Sequence, residues 1–182
     1  MASLWDKYTI DNLDNKTNFN WYLANTLLDN IDYESICEVG CNIGDNLAYI
    51  PDDKKIYGID NCKSAIDIGI LRHPHIHFIE DDITNLKIKN VQYDIVFTRG
   101  VLIHIPNNKL LTAIDNVIKC AKKYIIHAEY FGNDGQMIDW KRGRDLLWYR
   151  DLKPIYIKKG FNVVADYELN DKNKMHITII KL

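Results

Sequence analysis

The chain has 182 residues, of which 47% are hydrophobic and 26% are charged, and its net charge is −2 at pH 7. This length predicts one domain over residues 1–182 with a single hydrophobic core. The weak net charge argues against a nucleic-acid partner, and charged residues break every apolar run well before the ~20 residues of a membrane span. The start, MASLWDKY, lacks signal-peptide features and the four cysteines lack CxxC spacing, so we expect a reduced, cytoplasmic protein.

The first two thirds of the chain alternate between strand and helix patterns. The stretch NFNWYLANTLLDNI predicts a helix over about 18–31, which would cover one face or the mouth of a sheet. Short β-branched and aromatic runs predict five strands, at 35–39, 55–60, 75–79, 93–98 and 123–130. Helices are predicted between them at 44–50, 62–72 and 107–121. This alternation predicts right-handed crossovers that build a parallel sheet.

The pattern changes in the last third of the chain. Residues 144–160 look helical, although Pro154 must interrupt or kink that helix. Two strands are predicted at 161–169 and 174–182, and the polar turn that joins them, at 170–173, is a hairpin signal. The predicted fold class is therefore α/β, a Rossmann-like seven-stranded mostly parallel sheet with helices on both faces and a C-terminal antiparallel hairpin.

The stretch CEVGCNIGDN leads from the first predicted strand into a glycine turn. Gly40 and Gly44 would let a ligand approach the backbone closely at the edge of the sheet. Asp60 ends the second predicted strand, 20 residues after Gly40, where a carboxylate can bind both hydroxyls of a ribose. Glu38 would repel a phosphate but suits an ammonium group. A ribose together with an ammonium group indicates an adenosyl amino acid rather than NAD.

These segments resemble the motifs of the class I S-adenosylmethionine-dependent methyltransferases. ICEVGCNIGDN looks like motif I, IYGID like motif II, FIEDDITNL like motif III, and YDIVFTRGVLIHIPNNKL like motif IV with the segment after it. The similarity runs from about Trp5 to the C-terminus and departs at Asn42, which replaces the middle glycine but tolerates left-handed backbone geometry. It implies S-adenosyl-L-methionine as the cofactor and S-adenosyl-L-homocysteine as the product.

The same resemblance implies roles for individual residues. Asp60 would bind the ribose, Asp82 would face the adenine amino group, and Ile83 would lie near the adenine ring. Trp5 and Tyr8 would fold over the methionine end as a lid, or else simply pack onto the core. The full set of predicted cofactor-binding residues is Trp5, Tyr8, Glu38, Gly40, Cys41, Asn42, Gly44, Asp60, Asn61, Asp82, Ile83, Thr98, Arg99 and Gly100.

A narrower likeness connects GCNIG, FTRGVLIHI, KKYIIHAEYF and KRGRDLLWYRD to the methyltransferases associated with pseudaminic acid biosynthesis. It does not identify an acceptor.

Methyl transfer needs a nucleophile held in line with the methyl group, and a general base only if the acceptor arrives protonated. His104, after the fourth strand, is the predicted base, with packing at a helix start as the alternative. Glu129 and Tyr130 end the fifth strand and are predicted to contact the acceptor, with simple packing at the rim of the crevice as the alternative. Tyr130 is a second catalytic candidate.

The segment DWKRGRDLLWYR mixes basic and aromatic residues. Arg142, Arg144 and Arg150 are predicted to bind an anionic acceptor, whereas a solvated helix face is the alternative. No metal site is expected, because the alternating His73, His75 and His77 lack a Cys or carboxylate partner at suitable spacing.

The predicted function is methyl transfer to a small, anionic acceptor such as a sugar or sugar nucleotide. The sequence leaves two alternatives open: a module that binds the cofactor without transferring a methyl group, and a methylase of nucleic acid or protein recruited by a partner. A nucleic-acid acceptor is disfavoured, because Thr98-Arg99-Gly100-Val101 stands where the amino-methylases carry an Asn/Asp-Pro-Pro-aromatic loop. The oligomeric state is not predicted.

Overall fold

The computed structural model describes residues 3–13, 19–87, 91–169 and 175–182. Its centre is a seven-stranded sheet in the order β3-β2-β1-β4-β5-β7-β6. The strands are β1 (Ser35–Val39), β2 (Lys55–Asp60), β3 (His77–Glu80), β4 (Tyr93–Arg99), β5 (Ala121–Tyr130), β6 (Asn162–Glu168) and β7 (Met175–Lys181). The first five are parallel, and β7 pairs antiparallel with both β5 and β6. The predicted fold class is confirmed.

Helices cover both faces of the sheet. They are α1 (Leu4–Asp11), α2 (Phe19–Tyr22), α3 (Lys63–Arg72), α4 (Asn107–Cys120) and α5 (Lys153–Lys158). A π-helical turn, Leu23–Leu27, continues α2, and 3₁₀ turns occur at Ile83–Asn85 and Leu102–His104. One core packs Phe19, Leu23 and Leu27 from the N-terminal segment against one face of the sheet. A second core packs α4 and α5 against the other face.

The amphipathic pattern of α4 shows why this segment is helical. Leu110, Ala113, Ile114 and Val117 are all buried, and their spacing places them on one side of a helix. They contact strand residues such as Val96 and Ile125, which point to the same face because alternate strand residues do so. Sequence periodicity therefore determines which side of this helix packs on the sheet.

Two of the predicted helices are wrong. Residues 44–50 form a series of turns instead of a helix, since Gly44 has φ +84°, a left-handed conformation that a helix does not tolerate. Residues 144–160 are irregular up to the short helix α5, and Pro154 lies in its first turn, where the missing N–H costs nothing. The predicted N-terminal helix is helical only over Phe19–Leu27. Residue 18 and the predicted turn at 170–173 lie outside the described residues.

The order of the strands fixes the position of a crevice. The chain moves outward from β1 to β2 and β3, then returns across β1 to β4 and β5. The connections after β1 and β4 therefore leave on opposite sides, which opens a crevice beyond the carboxyl ends of these strands. In the described part of the chain, no helix has the length and apolarity needed to span a membrane.

Candidate active site

A cavity of about 310 Å³ occupies this crevice. Its floor comes from the ends of β1 and β2, and its walls come from the segments that follow β3 and β4. Helix α1 contributes Trp5 and Tyr8. Residues that line it are Trp5, Tyr8, Val39, Gly40, Cys41, Asn42, Asn46, Ile59, Asp60, Asn61, Asp81, Asp82, Ile83, Thr84, Arg99, Gly100, Val101, His104, Ile105, Pro106 and Lys109. Most of the predicted cofactor-binding residues therefore meet at one place.

The glycine turn after β1 is close to the loop after β4. Gly40 has φ +74°, and a Cβ atom there would lie 2.2 Å from Cγ2 of Val101, so any side chain would be excluded. Asn42 also has positive φ, at 50°, as its sequence position suggested. Gly44 does not line the cavity; a Cβ atom there would clash with the Phe78 ring at 2.6 Å. Gly44 thus allows β3 to pack beneath the turn.

Asp60 joins the ends of β1 and β2. Its Oδ2 accepts a hydrogen bond from the Asn42 backbone N at 2.7 Å, and its Oδ1 accepts one from the Cys62 N at 2.8 Å. Burial raises the pKa of Asp60, and these two hydrogen bonds oppose the increase. The carboxylate therefore orders the glycine turn while it also faces the cavity.

Glu38 lies beneath the turn and is fully buried, so it does not itself line the cavity. Its Oε1 accepts a hydrogen bond from Asn46 Nδ2 at 2.6 Å, and Asn46 does line the cavity. Burial raises the pKa of Glu38 to about 8. Among the described residues, neither Glu38 Oε2 nor the nearby Arg99 Nε has a hydrogen-bond partner.

The segment after β3 forms another wall. Asp82 Oδ1 accepts a hydrogen bond from Thr84 N at 2.8 Å, which caps the 3₁₀ turn that carries Ile83. The neighbouring Asp81 is 6% exposed and accepts the backbone N–H groups of Asp82 and Lys87. This pair of carboxylates therefore holds the wall in shape and places Asp82 and Ile83 at the cavity.

Helix α1 closes the mouth of the cavity with an aromatic cluster formed by Trp5, Tyr8, His104 and Trp140. The Trp5 ring lies 5.0 Å from the His104 ring, and the His104 ring lies 4.9 Å from the Trp140 ring. Asp6 ties the helix to α3 through a 2.6 Å hydrogen bond from Ser64 Oγ, which is the main reason why the pKa of Asp6 is lowered to about 2.

His104 is held in one orientation. Its Nδ1 lies 2.6 Å from the carbonyl oxygen of Leu146. Because a carbonyl only accepts, Nδ1 carries the proton, and in the neutral ring Nε2 has the lone pair. Burial lowers the pKa of His104, which favours the neutral ring near pH 7. No described residue hydrogen-bonds to Nε2.

Three predicted residues lie outside the cavity, at the ends of β4 and β5. Thr98 is fully buried and Glu129 is 2% exposed. Thr98 Oγ1 donates to Glu129 Oε1 at 2.7 Å. Tyr130 points to the opposite face of the sheet, as strand alternation requires, and packs on the core that contains Phe19. The structure does not bring Glu129 or Tyr130 to the cavity wall.

The predicted arginines also lie away from the cavity lining. Arg142 donates to Asp11 at 2.7 Å and stacks on Tyr8 at 5.2 Å, so it holds α1. Arg150 is 2% exposed and binds backbone carbonyls of the loop after β4. Arg144 is exposed. These residues do not form a common cluster.

The residues near the cavity that were not predicted as site residues include Asn46, Asp81, Lys109 and Trp140. Asn46 follows the glycine turn, and Asp81 precedes Asp82, so proximity to a motif was an available signal for both. Lys109, in the first turn of α4, and Trp140 lie inside segments that the sequence singled out, but only tertiary packing brings these two side chains near the cavity.

Comparison with known proteins agrees with this geometry. Residues 36–124 match a family described as a methyltransferase domain. No curated protein matches the chain. Solved structures share the fold at low identity. A Haloferax volcanii methyltransferase in complex with its activator Trm112 has a TM-score of 0.79 at 12% identity and covers 100% of this chain and 98% of that chain.

Two further structures are similar over nearly their whole length. A Clostridium acetobutylicum S-adenosylmethionine-dependent methyltransferase has a TM-score of 0.70 at 13% identity, covering 99% of each chain. The Bradyrhizobium japonicum N-methyltransferase NodS, in complex with S-adenosyl-L-homocysteine, has a TM-score of 0.71 at 15% identity, covering 98% of each chain. Residues 36–124 therefore match a methyltransferase-domain family, and the chain shares the fold of these solved methyltransferases.

Proposed function

We propose that this protein binds S-adenosylmethionine in the cavity and transfers its methyl group to a small acceptor. The observation that carries this proposal is the position of Asp60, Asp82 and the Gly40 turn around one cavity at the switch point of the sheet. A dinucleotide would place a pyrophosphate at the turn, and an anion there would raise the already raised pKa of Glu38 further, whereas an ammonium group would favour its carboxylate. An adenosyl amino acid would place its ammonium group there instead.

The residues present fit such a cofactor. A Cβ atom at Gly40 would lie 2.2 Å from Val101 Cγ2, so the glycine lets the loop after β4 pack against the turn at the edge of the cavity. Glu38 has a buried oxygen without a partner among the described residues, and it contacts the cavity lining through Asn46. Asp60 would hold the ribose, Asp82 and Ile83 the adenine, and Asn46 with Glu38 the ammonium end. The sulfonium of the bound cofactor supplies an electrophilic methyl group.

His104 is suited to remove a proton from the acceptor. Its Nδ1–H is committed to Leu146, so Nε2 is the nitrogen left to accept a proton. Trp5 and Trp140 pack on the ring and keep bulk water away from it, which strengthens both base catalysis and the attack on the methyl group.

The proposed acceptor is a small anion such as a sugar or sugar nucleotide. Lys109 lines the cavity at an exposed position, and its ammonium group would attract a negative charge. Arg144 remains a candidate for the outer part of the acceptor, whereas Arg142 and Arg150 already bind protein groups. The four free thiols agree with a reducing, cytoplasmic location.

The direct test is a transfer screen with a methyl-labelled S-adenosylmethionine and a metabolite extract fractionated by charge. We expect label to enter a small anionic metabolite, and the His104→Ala protein to fail in the same assay. Label in nucleic acid or protein, with none in the metabolite fraction, would contradict the proposed acceptor. Binding of the cofactor without any labelled product would favour the binding-module alternative.

A further inference from the structure

The loop that carries His104 is held by two charged side chains, a carboxylate and a guanidinium. This loop, Val101–Ile105, follows β4 and contains the 3₁₀ turn Leu102–His104. A turn of three residues leaves most of its backbone N–H and C=O groups without partners inside the turn. The structure supplies those partners from β5 and from residues 146–150.

Glu129 binds the N–H groups of the loop. Its carboxylate accepts from Val101 N at 3.0 Å, from Leu102 N at 3.2 Å and from Ile103 N at 3.3 Å. Thr98 Oγ1 is a fourth donor, at 2.7 Å. All four partners are donors, so they favour the carboxylate over the protonated acid and oppose the rise in the pKa of Glu129 that burial causes.

The hydrogen bonds behind Glu129 also run in the direction that favours its carboxylate. Because Thr98 gives its proton to Glu129, its oxygen accepts from His127 Nδ1 at 2.8 Å. His127 Nε2 then accepts from the Tyr156 hydroxyl at 2.8 Å. Burial lowers the pKa of His127 to about 3, which keeps this ring neutral. A chain of donors in the core therefore points toward one buried anion.

Arg150 binds the C=O groups of the same loop. Its Nε donates to Leu102 O at 2.9 Å and its Nη2 donates to Ile105 O. The third nitrogen, Nη1, donates to Asn107 Oδ1 at 2.7 Å. The planar guanidinium thus connects the beginning and the end of the loop, which a flexible ammonium group could not do.

We propose that Glu129 and Arg150 are positioning residues that hold the His104 loop by its N–H and its C=O groups and so aim Nε2 of His104 into the cavity. This inference rests on the proposed function, in which His104 accepts a proton from the acceptor. The two residues act through the loop and do not touch the reacting atoms. The sequence suggested that both residues contact the acceptor, but in the structure both bind the loop that carries His104.

The test compares Glu129→Gln and Arg150→Lys with Asp94→Asn. The first variant turns one oxygen into an N–H donor that faces the loop amides, and the second keeps the charge but loses the planar fork. The control removes another buried carboxylate, 4% exposed, which accepts from Glu34 N at 2.7 Å at the opposite end of β4. Thermal melting of each protein shows that it is folded.

The readout is the tautomer of His104, measured in a long-range ¹H–¹⁵N spectrum of the protein saturated with S-adenosyl-L-homocysteine. The His104 signals are assigned by their absence from the spectrum of His104→Asn. We expect one tautomer, protonated at Nδ1, in the wild type and in Asp94→Asn, and a mixture in both test variants. With the acceptor identified, kcat should fall by ~10- to 100-fold in the test variants while both KM values change by less than about threefold.

A wild-type His104 spectrum in both test variants would overturn the proposal. If Glu129→Gln does not fold, Thr98→Val replaces it, because this variant removes one donor to Glu129 and keeps the carboxylate. An unchanged His104 spectrum in Thr98→Val would then contradict the proposal equally. The spectrum needs no acceptor. If the wild type transfers no methyl group, the proposed function fails while the positioning of His104 is still decided by the spectrum.

Discussion

The side-chain amide of Asn42 donates a hydrogen bond of 2.9 Å to Thr9 Oγ1. Asn42 stands where the related motif has a glycine, and Thr9 is a buried residue of α1, 1% exposed. This bond joins the turn beneath the cavity to the helix that closes it. A ligand that orders the turn would therefore also favour the closed position of α1.

Removal of this bond should speed release of the ligand. In Thr9→Val the shape is kept and the acceptor is lost, so S-adenosyl-L-homocysteine should dissociate ~3- to 10-fold faster, the factor expected for one neutral hydrogen bond. Stopped-flow tryptophan fluorescence can follow this, because Trp5 lines the cavity. The control is Thr112→Val, at an exposed position of α4. Equal dissociation rates in the two variants would show that the bond does not hold the helix.

The stability of the ligand-free protein should fall as pH rises toward 8. Burial raises the pKa of Glu38 from 4.5 to about 8, so between these values the folded state binds a proton that the unfolded state has lost. The free energy of unfolding then decreases with pH across this window and becomes level above it. Glu38→Gln cannot titrate and should remove this decrease.

Urea denaturation at pH 5, 6.5 and 8 measures this difference between Glu38→Gln and the wild type. The matched control is Glu34→Gln, at an exposed position just before β1, which should behave like the wild type. A Glu38→Gln protein that loses stability with pH as steeply as the wild type would place the responsible group elsewhere.

His104→Ala should lower kcat by ~100-fold or more, the range expected for loss of a general base, and should change the cofactor Kd little. Burial lowers the pKa of His104 below the ordinary histidine value of 6.5. The wild-type kcat should therefore stay constant as the pH is lowered from alkaline values to about 6.5, and should decrease only in more acidic solution. The control is His75→Ala, at an exposed position before β3. A kcat within threefold of the wild type would limit His104 to packing.

Arg144 and Arg142 should differ in their effects. Arg144→Ala should raise the KM of an anionic acceptor by ~10-fold, the loss expected for one charge-assisted contact, without a change in cofactor Kd. Arg142→Ala breaks the contact with Asp11 and should instead weaken cofactor binding by loosening α1. Lys141→Ala is the control for a nearby exposed charge. If Arg144→Ala matches the control, the acceptor does not reach this segment.

The strands, which depend on local sequence pattern, and the site residues at the strand ends could be predicted from the sequence. The strands were predicted from their apolar runs, and because parallel strands end at one edge, Gly40, Asp60 and Asp82 could be expected to meet there. Residues 144–160 were mispredicted because their structure depends on distant partners: Trp148 N donates to Ile103 O, and Arg150 binds the same loop. Hydrophobic periodicity in the sequence gives no information about such contacts between distant segments. For the same reason the sequence assigned Arg142 and Arg150 to the acceptor.

Isothermal titration calorimetry of the wild type and Asp60→Ala tests whether the cavity binds an adenosyl amino acid. We expect S-adenosyl-L-homocysteine to bind the wild type at one site per chain, NAD to give no binding heat, and Asp60→Ala to lose ~2–4 kcal/mol of binding free energy with the two ribose hydrogen bonds. Asp67→Ala, at an exposed position on α3, should bind like the wild type. Binding of NAD without binding of S-adenosyl-L-homocysteine, or a loss below about tenfold in Asp60→Ala, would contradict the account.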